Sequence, residues 1–194
     1  MLHNKHLEIL SLFLGDYEKV VHGRGLIGEV KKSPKGISNS LNEMEESGIL
    51  RSVNKGSAKH FSLNRHFIFI KDYLAIAEII RKIEFLEKQK KIAHIFRGDA
   101  RIVGIFGSYA DGSYNRESDV DIFIIGADRP EIDYKKSAGV FDIEASVKLF
   151  GIREFSSMLK KKSNIAREII RNHIIISNQE GFISLIWKDY YGYD

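Results

Sequence analysis

The chain has 194 residues, 43% of them apolar and 29% charged, with no cysteine. Such a composition is ordinary for a folded protein holding one large domain or two small ones, and it excludes a disulfide framework and a thiolate metal site. The net charge of +4 is uneven: residues 1–66 carry ten Lys/Arg against seven Asp/Glu, and residues 99–194 thirteen against fifteen, so a contact with nucleic acid, if there is one, belongs at the front.

Leu7, Leu10 and Leu14 share one face of a helix predicted over 5–14. A short second helix is expected over 25–32, stopped by Ser33-Pro34-Lys35-Gly36. Ile37, Leu41 and Met44 recur at helical spacing in a third, with Pro34 in its first turn and Gly48 at its end. Two short strands, ILRSV and KHFSL, then flank the turn NKGSA and read as a hairpin.

Helix, helix, turn, helix and basic hairpin is the order of a winged helix-turn-helix. The run Lys32-Ser33-Pro34-Lys35-Gly36-Ile37-Ser38-Asn39-Ser40-Leu41, followed by Glu45-Glu46-Ser47-Gly48-Ile49-Leu50, resembles the recognition-helix region of archaeal and bacterial winged-helix regulators. That resemblance implies double-stranded DNA as a partner. The matching positions are Lys35, Ser38, Asn39 and Asn42 on the helix, and Lys55, Lys59 and His60 on the wing. Glu43, Glu45 and Glu46 depart from a basic recognition helix, and docking of a protein is the alternative.

Residues 67–98 are expected to form a connecting helix with flanking pieces. Tyr73, Ile76, Ala77, Ile80 and Ile83 make an apolar stripe on it. Such a stripe serves either packing within the chain or the seam of a homodimer.

The stretch 101–125, RIVGIFGSYADGSYNRESDVDIFII, carries the chemistry. A buried strand runs into Gly107-Ser108, a polar turn follows, and a second strand opens with Asp119-Val120-Asp121. Strand alternation puts Asp119 and Asp121 on one face. Two carboxylates there repel each other and are costly to bury, and a divalent metal relieves both problems. Magnesium or manganese accepts carboxylate, phosphate and water oxygens. Gly107 lets a phosphate approach the backbone, and Ser108 offers a hydroxyl beside the free N–H groups of the turn.

A strand, Gly-Ser, ten residues, then Asp-x-Asp on the next strand is similar to the polymerase-β nucleotidyltransferase superfamily, and especially to its minimal members. The resemblance implies Asp119 and Asp121 as metal ligands and catalytic residues, and Gly107 and Ser108 as nucleotide-binding residues. Such a family often has a third acid on a later strand. The candidate strand is 140–149, whose alternation puts Asp142 and Glu144 on one face. Counting back from Arg153-Glu154-Phe155, the family position falls on Ser146. Either two acids suffice, or one of this pair serves, with Glu144 the better candidate. Helices over 152–171, a strand over 173–177 and a helix over 181–190 close the domain, with His173 read as structural.

The fold class expected is α+β: a winged helix at 1–66, a connecting helix at 67–98 and a nucleotidyltransferase domain at 99–194. The activity implied is transfer of an NMP, AMP above all, from a nucleoside triphosphate such as ATP to a protein or RNA acceptor. Some relatives act as antitoxins that modify a partner toxin. The alternative is a DNA-binding transcription regulator whose transferase domain only senses nucleotide or is inactive. The opening MLHNKHLEIL lacks the apolar core and cleavage site of a secretory signal, and no run approaches the roughly 18 apolar residues of a membrane span. The expectation is therefore a cytoplasmic protein without a membrane partner.

Overall fold

A computed structural model of the chain describes residues 4–96, 98–126 and 133–193. Chain contacts divide it into two compact units, 1–77 and 78–194. Among the described residues no helix is long and apolar enough to cross a membrane.

The first unit begins with helix α1 (Asn4–Ser11), strand β1 (Val21–His22) and a 3-10 turn (Gly23–Leu26). Helix α2 (Pro34–Glu46) and the hairpin β2 (Leu50–Lys55) and β3 (Ala58–Leu63) follow. The short helix expected over 25–32 is not formed. Gly28 takes φ 91°, a conformation that breaks a right-handed helix, and the chain turns instead. Helix α2 stands as its sequence requires. The Ser33 hydroxyl accepts from the Gly36 N–H at 3.1 Å, and Pro34 fills the first turn. At its end the Ile49 N–H donates to the Met44 carbonyl and the Gly48 N–H to that of Glu45, a Schellman closure. Ile37, Leu41 and Met44 are buried, as are Ile9, Leu10, Phe13 and Leu14 of the first segment. The sheet order is β1-β3-β2, all antiparallel; the two-residue β1 carries no periodicity by which a sequence could announce it.

Helix α3 (Ile70–Lys88) contains the division between units. Its buried positions are Ile70, Leu74, Ala75, Ala77 and Glu78; of the stripe expected from apolar spacing Ala77 is among them, and Tyr73 and Ile80 are half-buried. Ile76 and Ile83 are exposed. The inward face is marked by helical phase and includes a carboxylate, so apolar residues alone misplace it.

The second unit takes in the rest of α3 and α4 (Lys90–Ala93), which composition sets apart as a connector. Its sheet has the order β6-β5-β4-β7, with β4 (Ile102–Phe106), β5 (Val120–Ile125), β6 (Ala145–Phe150) and β7 (His173–Ser177). Strand β4 pairs antiparallel with β5 and β7, and β5 pairs parallel with β6. One sheet face, built from Val103, Ile105, Val120, Ile122, Ile124 and Ile174, joins Ile92, Ile95 and Tyr134 in a continuous core. On the other, the Phe123 ring meets Phe182 and Phe106. The remaining helices are α5 (Ser108–Asp111), α6 (Tyr134–Gly139), α7 (Ile152–Lys160), α8 (Asn164–Arg171) and α9 (Gln179–Asp189).

The strand expected over 140–149 starts only at Ala145. Asp142 lies in a turn after α6 with φ 56°, a conformation that Asp tolerates better than most residues. Asp142 and Glu144 therefore do not share a strand face. The alternation of residue types continues through the turn, but the extended backbone that gives it meaning does not.

Candidate active site

Strand β4 delivers the chain to Gly107, and β5 begins one residue after Asp119. In the β4–β5 ladder Phe106 stands opposite Asp121, so the Asp121 carboxylate lies against the turn that leaves β4. Gly107 is required there. Its backbone (φ 68°, ψ −148°) is one that essentially only glycine adopts, and a Cβ on it would lie 2.8 Å from Asp121 Oδ2. Glycine and carboxylate are thus fitted to each other, which the spacing in the sequence could suggest but not measure.

The loop between the strands holds itself by local bonds. The Ser113 N–H donates to Asp111 Oδ1, the Glu117 N–H to Asn115 Oδ1, and the Asn115 N–H to Ser118 Oγ, all at 2.8–2.9 Å. The Tyr109 and Tyr114 rings stack at 4.4 Å and 7°, and Tyr114 Oη is 2.6 Å from Gln89 Nε2. Together with Arg81, Lys88 and Ile174 these residues line a cavity of about 460 Å³. Burial raises the Tyr109 phenol, and Tyr114 and the charge of Asp119 add to the shift, which sets Tyr109 within reach of the acid. Nothing in the sequence pattern had singled out the aromatic pair.

Asp119 is exposed and Asp121 half-buried. Burial pushes the Asp121 carboxyl above its ordinary range and the charge of Asp119 pushes it further, while Ser146 and Lys148 pull it back. Those two residues come from β6, where Ser146 stands beside Asp121 in parallel register. Glu144 is exposed, one residue before β6, and its carbonyl accepts from the Val120 N–H at 2.9 Å, which sets it beside the Asp119 end of β5. Among the described residues no group of three or more His, Cys, Asp and Glu comes together as a ready metal site. The donor set nevertheless fits one hard divalent cation. Two neighbouring carboxylates, one disfavoured as an anion by burial and by its neighbour, gain from such an ion, and substrate and water oxygens commonly complete its shell.

His173 is wholly buried, as its structural reading requires. Its Nδ1 lies 2.8 and 2.9 Å from the carbonyls of Ile169 and Ile170, and its Nε2 is 2.8 Å from Oε1 of the equally buried Glu78. The pair binds α3 to β7, at the residue that stands opposite Phe106. An acid ninety-five positions from its partner in the chain gives no sequence signal.

In the first unit Lys35, Ser38, Asn39 and Asn42 lie on one exposed face of α2, and Lys55 and Lys59 on the hairpin. His60 is half-buried, its ring against that of His22. Lys59 is ion-paired with Glu45 and reaches Asn42 Oδ1 at 3.5 Å. That lysine holds the Glu45 carboxyl below its ordinary range, with Ser52 adding to the effect. Ser38, Asn42 and Lys59 also line a cavity of about 620 Å³ with His22 and Arg24.

The four-stranded mixed sheet thus sets Asp121 against a glycine turn, with Asp119 one residue before the strand. The family described as Polymerase beta, Nucleotidyltransferase matches residues 78–181, more than half of the chain, and the chain belongs to that family. The match begins where the second compact unit does, inside α3. No curated protein and no solved structure matches the chain.

Proposed function

We propose that the second unit transfers an NMP, with ATP as the donor, to a hydroxyl of a protein or RNA acceptor. The observation that carries this reading is the fit of Gly107 to the Asp121 carboxylate beside Asp119. The turn is built around the acid, as a site that must hold both a metal carboxylate and a phosphate requires. Asp119 and Asp121 would hold magnesium or manganese, which when bound neutralises phosphate charge and activates the attacking hydroxyl. Gly107 admits the phosphates to the backbone and Ser108 donates to them. Glu144, at the Asp119 end of the site, takes the proton of the acceptor. The new bond joins the acceptor oxygen to the α-phosphorus, and pyrophosphate leaves with the electron pair of the broken bond. A partner toxin is one protein acceptor that such a site serves.

The test is incubation with each labelled triphosphate and magnesium or manganese, with products of neighbouring genes offered as acceptors. The expected outcome is metal-dependent label on one acceptor. The Asp119→Asn, Asp121→Asn double variant should lose the transfer while keeping its thermal midpoint equal or higher, because mutual repulsion is relieved. Unchanged transfer in that variant rejects the reading.

A second reading concerns the first unit, which we take as a winged helix that binds duplex DNA in the cytoplasm. The exposed polar face of α2 beside the hairpin favours it. Two of the three acids on α2 are satisfied within the unit, Glu43 by His6 at 2.9 Å and Glu45 by Lys59, so they oppose a phosphate backbone less than the sequence suggests. In that reading the transferase unit senses nucleotide, and the exposed isoleucines of α3 serve a homodimer.

A further inference from the structure

In the β5–β6 ladder Asp121 stands beside Ser146, and Phe123 beside Lys148. Paired residues of a parallel ladder project to the same side, and alternate residues of one strand share a face. Asp121, Ser146 and Lys148 therefore face one way, and both β6 side chains favour the charged form of the Asp121 carboxyl. The place beside Asp121 where a third acid would complete a ligand set is filled by a neutral hydroxyl. Glu144, the nearest acid on that segment, does not join Asp119 and Asp121 in a group able to hold a metal.

Two divalent cations about 3.5–4 Å apart need a carboxylate between them and further ligands on each. Two carboxylates and a hydroxyl are a smaller set of protein ligands than two such cations commonly share. A single divalent ion leaves part of the charge of a triphosphate uncompensated. Lys148 is exposed on this face, and its ammonium is a compact point charge on a flexible stem, suited to phosphate oxygens.

We propose that this site works with one divalent cation, held by Asp119 and Asp121, and that Lys148 brings to the triphosphate the positive charge that a second cation would supply. The inference rests on the transferase reading and names how that site meets its substrate.

Binding of the α,β-methylene analogue of ATP, which cannot be attacked at the α-phosphate, is measured by calorimetry, and bound Mn²⁺ is counted by electron paramagnetic resonance. The full chain should bind one Mn²⁺ with the analogue. Lys148→Gln should weaken the analogue about tenfold or more, the scale of a charge-assisted bond, and Lys148→Arg should restore most of the affinity. Ser146→Asp should add a second bound Mn²⁺. Two ions on the unaltered chain, or equal analogue affinity in Lys148→Gln, overturns the inference and leaves the transferase reading standing. No Mn²⁺–analogue binding, or binding indifferent to Asp119→Asn with Asp121→Asn, overturns both.

Discussion

At Gly107 a hydrogen atom stands where any other residue would place a carbon 2.8 Å from Asp121 Oδ2. Gly107→Ala therefore carries two penalties, backbone strain and displacement of a carboxylate. Strain of this kind costs about 1–3 kcal/mol, so urea unfolding should show at least that loss, with weaker nucleotide binding than any stability effect explains. Glu144 is exposed, and its replacement should leave the fold intact. If it takes the acceptor proton, Glu144→Gln lowers transfer by about 10²–10⁴ with triphosphate affinity nearly unchanged. Asp142→Asn should change neither, because that side chain leaves a turn outside the sheet.

Elements of the second unit are tied by polar contacts as well as by apolar packing. Glu78 fixes α3 to β7 through His173, both side chains fully buried. Glu78→Ala leaves the imidazole without its carboxylate in a dry site, and a buried polar group stranded in this way costs about 1–3 kcal/mol by chemical denaturation. The double variant Glu78→Leu, His173→Phe should recover much of that, since no polar group is then stranded. Asp99 ties the entry to β4 to α6. Its carboxylate takes Arg101 Nη2 at 2.6 Å, Arg101 Nε at 2.9 Å and the Tyr134 hydroxyl at 2.9 Å. Arg101 above all holds it down at about 2, against 3.8 for an ordinary aspartate. A carboxyl whose folded pKa is depressed adds stability that is complete above the unfolded value and is lost as pH falls through the folded one. Unfolding measured across pH should thus show Asp99→Asn less stable by about 2 kcal/mol at pH 7, with the difference fading between pH 4 and pH 2.

For the whole molecule the question is whether the basic front of the chain meets nucleic acid. The residues that would do so are few, and Lys59 is already paired with Glu45. If Lys35, Asn39 and Lys55 face duplex DNA, affinity should fall steeply with salt, as counterion release demands. Lys55→Glu should weaken all sequences alike, whereas Asn39→Ala should relax the preference among them. Fluorescence anisotropy over a salt series decides it, and salt-independent or absent binding rejects DNA as the partner.

Local chemistry was legible before any coordinates. Ser33, Pro34 and Gly48 mark the ends of α2 because caps act through the nearest backbone groups. Gly107-Ser108 and Asp119-Val120-Asp121 announce their turn and strand because two adjacent strands need only a short connection. What failed was pattern without backbone: Gly28 turned the segment expected as a helix over 25–32 away from one, and the alternation through Asp142 crossed a turn. Tertiary structure alone decided the partners that are far apart in the chain, Glu78 with His173, Tyr134 with Asp99, and Ser146 and Lys148 with Asp121. Which strand lies beside which, and in what register, is settled by burial of the whole sheet, and that is a sum over residues that no local run contains.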